Sequence, residues 1–249
     1  MNREPQKADF SRRLKRTALV TLVLLAALLL QYVPTGYLAV YPGPCSSLGE
    51  IVEVEGHPAR ESSFYMVSIL AKDASIYAVI RALIDPGVTL WSKNQVLGSM
   101  TPEEYMAENR RLMEESQRIS AYVAMRARGL VSSPEDTLPI NVSIKTGEVA
   151  GPSAGLVFAL EILSRIDGDL VMGRKIAGTG VLDETGEVLP VGGVAQKVIA
   201  CRRQGVDIFL VPKANLEEAL KFAGKMRIIG VGTFDEAVLA LSSGKSPSR

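Results

Sequence analysis

Histidine is nearly absent from this chain, and cysteine is scarce. The sequence contains one histidine, His57, and two cysteines, Cys45 and Cys201. A zinc site built on several histidines or on four cysteines is therefore excluded, and so is a disulfide framework. A Ser-His-Asp triad would have to use His57, which stands in a Gly-His-Pro sequence typical of a turn. No set of residues indicates a metal site.

An excess of basic residues is also missing. Lys and Arg total 28 against 27 Asp and Glu, so the net charge is +1. Nucleic-acid-binding proteins concentrate positive charge on one face, so we expect no nucleic acid partner. A phosphate-binding loop is missing too, because Leu239 stands where the pattern that ends in Gly244-Lys-Ser246 requires glycine. We therefore expect no cofactor and no use of ATP.

A long apolar run is present near the N-terminus. Residues 1–16 are rich in Lys and Arg, residues 17–33 are apolar, and no basic residue follows until Arg60. Such a pattern predicts a single-pass transmembrane anchor over 17–33, with 1–16 in the cytoplasm and the remainder outside. A cleaved signal peptide and a buried core helix are the alternatives. Residues 34–49, rich in Pro, Gly and Ser, are predicted to form a linker.

The remainder predicts a mixed α+β fold in which short strands alternate with helices. Thr101-Pro-Glu-Glu104 is typical of a capped helix start, and that helix is expected to reach Arg128 and stop at Gly129. The predicted organisation after the linker is an N-terminal α+β part over 50–130, a short connection over 131–138, a C-terminal domain over 139–242 and a flexible tail over 243–249.

Two residues at the starts of predicted helices carry the candidate chemistry. Ser153 lies in Gly151-Pro-Ser-Ala-Gly155, before an apolar helix. It is either a helix cap or a nucleophile placed where backbone N–H groups favour an oxyanion. Lys197 lies on the next long helix beside an apolar stripe. Its side chain either snorkels, with the amine in solvent, or is desolvated, which would lower its pKa and let it act as a base. Ser-Lys pairs are a known variant of triad chemistry.

Three segments together resemble one family. Glu148-Val-Ala-Gly-Pro-Ser-Ala-Gly155, Ile176-Ala-Gly-Thr-Gly180 and Gly186-Glu-Val-Leu-Pro-Val-Gly-Gly-Val-Ala-Gln-Lys197 are similar, in order and spacing, to the proteolytic domain of Lon proteases. The resemblance runs from about residue 139 to about residue 240. It implies the Lon proteolytic-domain fold, with Ser153 as nucleophile, Lys197 as general base and Thr179 as a residue that helps to place the lysine.

The resemblance also guides the expected function. Backbone groups around Ala150, Gly151 and Pro152 are expected to stabilise the oxyanion, and polypeptides are the expected substrates. The N-terminal part is similar to membrane-anchored, ATPase-lacking Lon-like serine proteases of bacteria, but the PDZ domain usual in those relatives is missing between 131 and 138. Ala150 is a second departure, since many full-length Lon enzymes carry an acidic residue there. A homohexamer is expected from resemblance only.

The sequence therefore predicts a membrane-anchored, ATP-independent serine endopeptidase with its catalytic domain outside the cytoplasm. Two other functions stay open at this point. One is a non-catalytic membrane-anchored adaptor that keeps the fold, and the other is a small-molecule amidase that uses the same Ser-Lys pair.

Overall fold

The computed structural model describes residues 4–30, 33, 35–59 and 64–242. The helices within these residues are α1 Glu4–Leu30, α2 Ile76–Ile84, α3 Lys93–Leu97, α4 Pro102–Ala127, α5 Gly155–Asp167, α6 Val194–Arg203, α7 Leu216–Leu220 and α8 Phe234–Ser242. The strands are β1 Tyr37–Ser47, β2 Val52–Val54, β3 Tyr65–Asp73, β4 Thr89–Ser92, β5 Val142–Ile144, β6 Ile176–Gly178, β7 Val181–Leu182, β8 Val188–Leu189, β9 Ile208–Pro212 and β10 Arg227–Val231. The expectation of a mixed α+β fold is confirmed.

One six-stranded sheet organises the fold. Its strand order is β10-β9-β6-β3-β1-β4, with parallel pairing from β10 to β3 and antiparallel pairing from β3 to β4. Two small antiparallel pairs, β2 with β5 and β7 with β8, lie outside it. The pair β7 and β8 encloses the hairpin turn that Asp183-Glu-Thr-Gly186 favours.

The predicted linker over 34–49 is wrong for most of its length, because β1 occupies residues 37–47 and pairs with both β3 and β4. Ala39 and Val40 of this strand are fully buried. The prediction failed because the proline and glycine of this strand are typical of linkers. They are accommodated because the register with β3 shifts between Pro42 and Cys45, and bulges of this kind tolerate such residues. The sheet combines β1, β3 and β4, which precede the predicted connection over 131–138, with β6, β9 and β10, which follow it.

The sheet separates the two larger apolar cores of the described residues, and a third, small cluster lies at α2. Alternate residues of β9 belong to different cores: Ile208 and Leu210 pack with α5, whereas Phe209 and Val211 pack with α6. Because successive side chains of a strand point to opposite faces, α5 and α6 cover opposite faces of the sheet. This arrangement decides how the candidate site is assembled.

The long helix α4 begins as the sequence predicts. Thr101 and Glu104 form a reciprocal capping box, with bonds of 3.2 and 2.7 Å, and Gly129 follows the helix with a positive φ of 69°. Helix α4 packs against α5, whose residues from Gly155 to Arg165 are buried on every side. The expected helix after Ser153 is present, but it begins two residues later.

The N-terminal helix α1 runs from Glu4 to Leu30, and its apolar side chains are exposed, Leu19 by 62% and Leu29 by 60%. None of the helices in the described residues combines the length and the apolar character needed to cross a membrane. The predicted transmembrane helix over 17–33 is therefore not supported. Residues 31 and 32 of that span, and the predicted tail over 243–249, lie outside the described residues.

Candidate active site

The candidate site lies where strand β6 ends. Thr179 directly follows this strand, is fully buried, and its N–H donates to the Leu210 carbonyl at 3.0 Å. Ser153 approaches this point from the side of the sheet covered by α5, and Lys197 approaches from the side covered by α6. The end of β6 is thus the place where side chains from the two cores meet.

Ser153 lies in a turn before α5 and does not cap that helix. The N-cap position belongs to Ala154, and no side chain bonds to the helix there. Gly151 takes a φ of 96°, a conformation that favours glycine. Gly155 lets the turn approach α4, because an added Cβ would lie 2.9 Å from Ser116 Oγ. The capping interpretation of Ser153 is therefore wrong, and the half-buried hydroxyl is available for other contacts.

Helix α4 holds this turn through hydrogen bonds. Ser116 Oγ donates to the Pro152 carbonyl at 3.1 Å, and Ser120 Oγ shares its one proton between the Ser116 carbonyl at 2.6 Å and the Gly155 carbonyl at 3.0 Å. The Asn109 carbonyl accepts the Gly151 N–H at 3.0 Å. Sequence reasoning missed these residues. The signal was present, since positions 109, 116 and 120 share one face of a helix.

Lys197 lies on α6 with its side chain in the second core. The side chain is 3% exposed, and the helix around it packs apolar residues that include Val194 and Val198. Desolvation by burial lowers the pKa of Lys197 to about 8, and the nearby Cys201 opposes this shift. The amine is therefore much closer to neutrality near pH 7 than an exposed lysine is.

Three hydrogen bonds connect the predicted residues. Lys197 Nζ donates to Ser153 Oγ at 3.0 Å and to Thr179 Oγ1 at 2.9 Å. Thr179 Oγ1 in turn donates to the Ser153 carbonyl at 3.0 Å. A threonine hydroxyl has one proton, and that proton is used in the bond to Ser153. Thr179 can therefore only accept from the amine of Lys197, which fixes one N–H of that amine.

The start of α6 is fixed by α7 and the turn before it. Asn215 Oδ1 accepts the Val191 N–H at 2.9 Å, Asn215 Nδ2 donates to the Val191 carbonyl at 3.2 Å, and Glu218 Oε1 accepts the Ala195 N–H at 3.2 Å. Asn215 occupies the N-cap position of α7, but its side chain makes no cap bond to that helix and contacts the segment before Lys197 instead.

Only part of the expected oxyanion segment has an available N–H group. Pro152 has no N–H, and the Gly151 N–H is already bonded to Asn109. These two residues are therefore removed as backbone donors. Within the described residues, the N–H groups of Ala150 and Ser153 have no acceptor.

The remaining candidates lie away from this site. His57 occupies a turn in which its N–H donates to the Val54 carbonyl at 3.0 Å, as the sequence predicts. Across the part of the chain that the structure describes, no three His, Cys, Asp or Glu side chains converge as metal ligands.

Residues 105–241 match the family model of the Lon protease (S16) C-terminal proteolytic domain. The match begins inside α4, earlier than the resemblance from about residue 139, and so includes Asn109, Ser116 and Ser120.

Individual Lon proteases are similar to part of the chain. The Lon protease of Chloroflexus aggregans is 32% identical over 146 residues, which are 55% of this chain and 18% of that protein. The archaeal Lon protease of Archaeoglobus fulgidus is 37% identical over 105 residues, 41% of this chain and 17% of that protein. The mitochondrial Lon protease homologue of Mus musculus is 37% identical over 113 residues, 43% of this chain and 12% of that protein. The chain thus spans less than a fifth of these relatives. The matches support the expectation of a serine-type peptidase.

Proposed function

The chain belongs to the family of Lon protease (S16) C-terminal proteolytic domains, and from that premise we propose that it hydrolyses peptide bonds through a Ser153-Lys197 dyad. The observation that carries the proposal is the 3.0 Å contact between Ser153 Oγ and the buried amine of Lys197. A pKa of about 8 leaves roughly a tenth of this lysine neutral at pH 7, which is enough for a general base.

The proton transfers follow from the hydrogen bonds. Neutral Lys197 keeps one N–H on Thr179 and turns its lone pair to the hydroxyl of Ser153. It takes the Ser153 proton as Oγ attacks the substrate carbonyl carbon, and it gives that proton to the leaving amine. A water molecule then attacks the acyl-enzyme, with Lys197 again as base, and the carboxylic acid product is released from Ser153.

The oxyanion that forms in each step requires donors near Ser153. The N–H groups of Ala150 and Ser153 are the ones in the expected segment that are not already engaged. Donors fixed in place before the reaction stabilise the developing charge more effectively than mobile water does. We therefore assign the oxyanion contacts to Ala150 and Ser153.

Polypeptides are the proposed substrates, and the test is to trap the nucleophile while following proteolysis. A serine-directed electrophile such as a fluorophosphonate is expected to label Ser153, and Ser153→Ala is expected to abolish cleavage of an unfolded protein without lowering the thermal midpoint. Ser143→Ala, which alters an exposed serine on β5, is the matched control. Retained proteolysis in Ser153→Ala would refute the proposal. Cleavage of simple amides alone would indicate an amidase, and inactivity of the native chain would indicate an adaptor.

Membrane attachment through the N-terminal segment is a separate proposal. Its support is the basic cluster before residue 17, the exposed leucines of α1 and the lack of Lys and Arg until Arg60. Protease added to intact spheroplasts is expected to digest the catalytic part. A catalytic part that survives until the membrane is broken would contradict the proposed orientation.

We also propose that catalysis needs no ATP and that the chain assembles as a homohexamer. The support is the missing phosphate loop and the resemblance to ring-forming Lon enzymes. Equal rates with and without ATP, and a mass in solution of six chains, are the expected results. Stimulation by ATP would refute the first part, and a monomeric mass would refute the second.

A further inference from the structure

The two cysteines of the chain lie against each other. Cys45 is on β1 and Cys201 is on α6, and their Sγ atoms are 3.5 Å apart although 156 positions separate them in sequence. Cys201 is fully buried and Cys45 is half-buried. Neither thiol takes part in the proton transfers assigned above.

The surroundings of the pair favour a covalent link. A disulfide bond is about 2.05 Å long, so the two sulfur atoms, now 3.5 Å apart, must approach by roughly 1.5 Å. The register shift between Pro42 and Cys45 lies directly beside the thiol, and bulges re-aim side chains. Beyond the shift, Cys45 is opposite Val67, and both pack against the core beneath α6.

We propose that Cys45 and Cys201 form a reversible disulfide that ties the helix of Lys197 to strand β1. The oxidant is a low-molecular-weight disulfide of the glutathione type. Cys45 loses its proton, and its thiolate attacks one sulfur of the donor, forms a mixed disulfide and releases the first thiolate, which takes up that proton. Cys201 Sγ then attacks Cys45 Sγ as its own proton passes to the second thiolate that leaves. The protein loses two electrons and two protons, and the donor gains both as two thiols.

The two cysteines suit these two roles. The hydrogen bond from Cys201 lowers the pKa of the Cys45 thiol, and this thiol is also the one that solvent reaches. The contact with Cys45, together with burial, raises the pKa of Cys201, so this residue keeps its proton until the mixed disulfide is beside it.

The link would join the stretch that matches the family model to a strand that precedes it. Cys201 lies within the stretch that matches the Lon family and Cys45 lies before it, so the bond would fasten the preceding strand to the catalytic helix. Disulfides persist in oxidising compartments, in agreement with the proposed location outside the cytoplasm, although the inference does not depend on it. It does not depend on the proposed catalysis either.

The experiment oxidises the folded full chain with oxidised glutathione, quenches it in acid and maps its peptides without reduction. The expected product is a Cys45–Cys201 cross-linked peptide and an intact mass lower by two hydrogen atoms. The thermal midpoint is expected to rise by roughly 5–15 °C and to return on addition of dithiothreitol.

Two variants serve as controls. Cys45→Ser and Cys201→Ala each retain one thiol, and in both the midpoint is expected to be the same with and without oxidant. Full alkylation of both thiols in the oxidised and then denatured wild-type protein would overturn the inference. A stable glutathione adduct on Cys45 without the cross-link would overturn it too, because Cys201 would then have failed to resolve the mixed disulfide.

Discussion

The turn that carries Ser153 and the helix that carries Lys197 are held by different kinds of interaction. The turn is fixed by hydrogen bonds to α4: Ser116 Oγ donates to the Pro152 carbonyl, and the Gly151 N–H donates to the Asn109 carbonyl. The lysine is fixed by burial among apolar residues, with Thr179 and Ser153 as its hydrogen-bond partners. A nucleophile must reach substrate, so polar contacts place it while leaving it half-exposed. A lysine base must lose its proton, so burial is needed to lower its pKa.

Replacing Lys197 tests this difference most strongly, because it removes the proposed base. Lys197→Arg keeps a positive charge, but it is expected to abolish peptide hydrolysis because arginine does not release its proton. Lys197→Met is expected to be equally inactive. Lys225→Met, at an exposed site, is the control and should keep full activity. An active Lys197→Arg variant would show that the base lies elsewhere.

Lys197→Met also separates stability from function. The lowered pKa means that the charged lysine destabilises the fold fully below pH 8, and the penalty is relieved as the pH rises from 8 towards 10.5. The Met variant is therefore expected to be more stable than wild type at pH 7, by up to about 3 kcal/mol, and the difference should shrink by pH 10. Urea denaturation at both pH values measures it. An equal or lower stability at pH 7 would contradict the assigned desolvation.

Thr179 connects the turn of Ser153 with the side chain of Lys197. Its loss is therefore expected to have the next largest effect on activity. Thr179→Val keeps the shape but removes the acceptor for Lys197 and the donor to the Ser153 carbonyl. We expect kcat to fall by about a hundredfold, since small misplacements of reacting groups cost that much. Thr179→Ser should restore most of the rate. A Val variant with normal kcat, or a Ser variant no better than Val, would remove Thr179 from the assigned role.

The smallest effect on activity is expected when a hydrogen bond that holds the turn of Ser153 is removed. Ser116→Ala removes the bond to the Pro152 carbonyl and is expected to destabilise the fold by about 1 kcal/mol. We expect kcat to fall less than tenfold and its pH dependence to stay unchanged, because the environment of Lys197 is not altered. Calorimetry and steady-state kinetics measure both, with Ser143→Ala as control. A shifted pH profile would mean that the turn of Ser153 and the helix of Lys197 are not held independently.

The sequence is informative where local chemistry decides the structure. Thr101 and Glu104 predict the start of α4, and the family resemblance selects Ser153, Thr179 and Lys197, which the structure brings together. It is less informative where tertiary contacts decide. The sequence of strand β1 looks like a linker because it contains Pro and Gly. These residues are accommodated in a strand only because β1 pairs with strands elsewhere in the sequence. Asn215 resembles a helix cap although it bonds to Val191, and the contact between Cys45 and Cys201 joins residues 156 positions apart in the sequence.

The pH dependence of kcat/KM tests the central claim most directly, because it reports the ionisation of the free enzyme. If Lys197 is the base, the rate on a peptide whose own groups do not titrate in this range should rise tenfold per pH unit below about pH 8 and level off above it. Ser116→Ala should give a curve with the same midpoint. A rate that is flat from pH 6 to pH 10, or one that still climbs steeply at pH 10, would contradict a buried Lys197 that deprotonates Ser153.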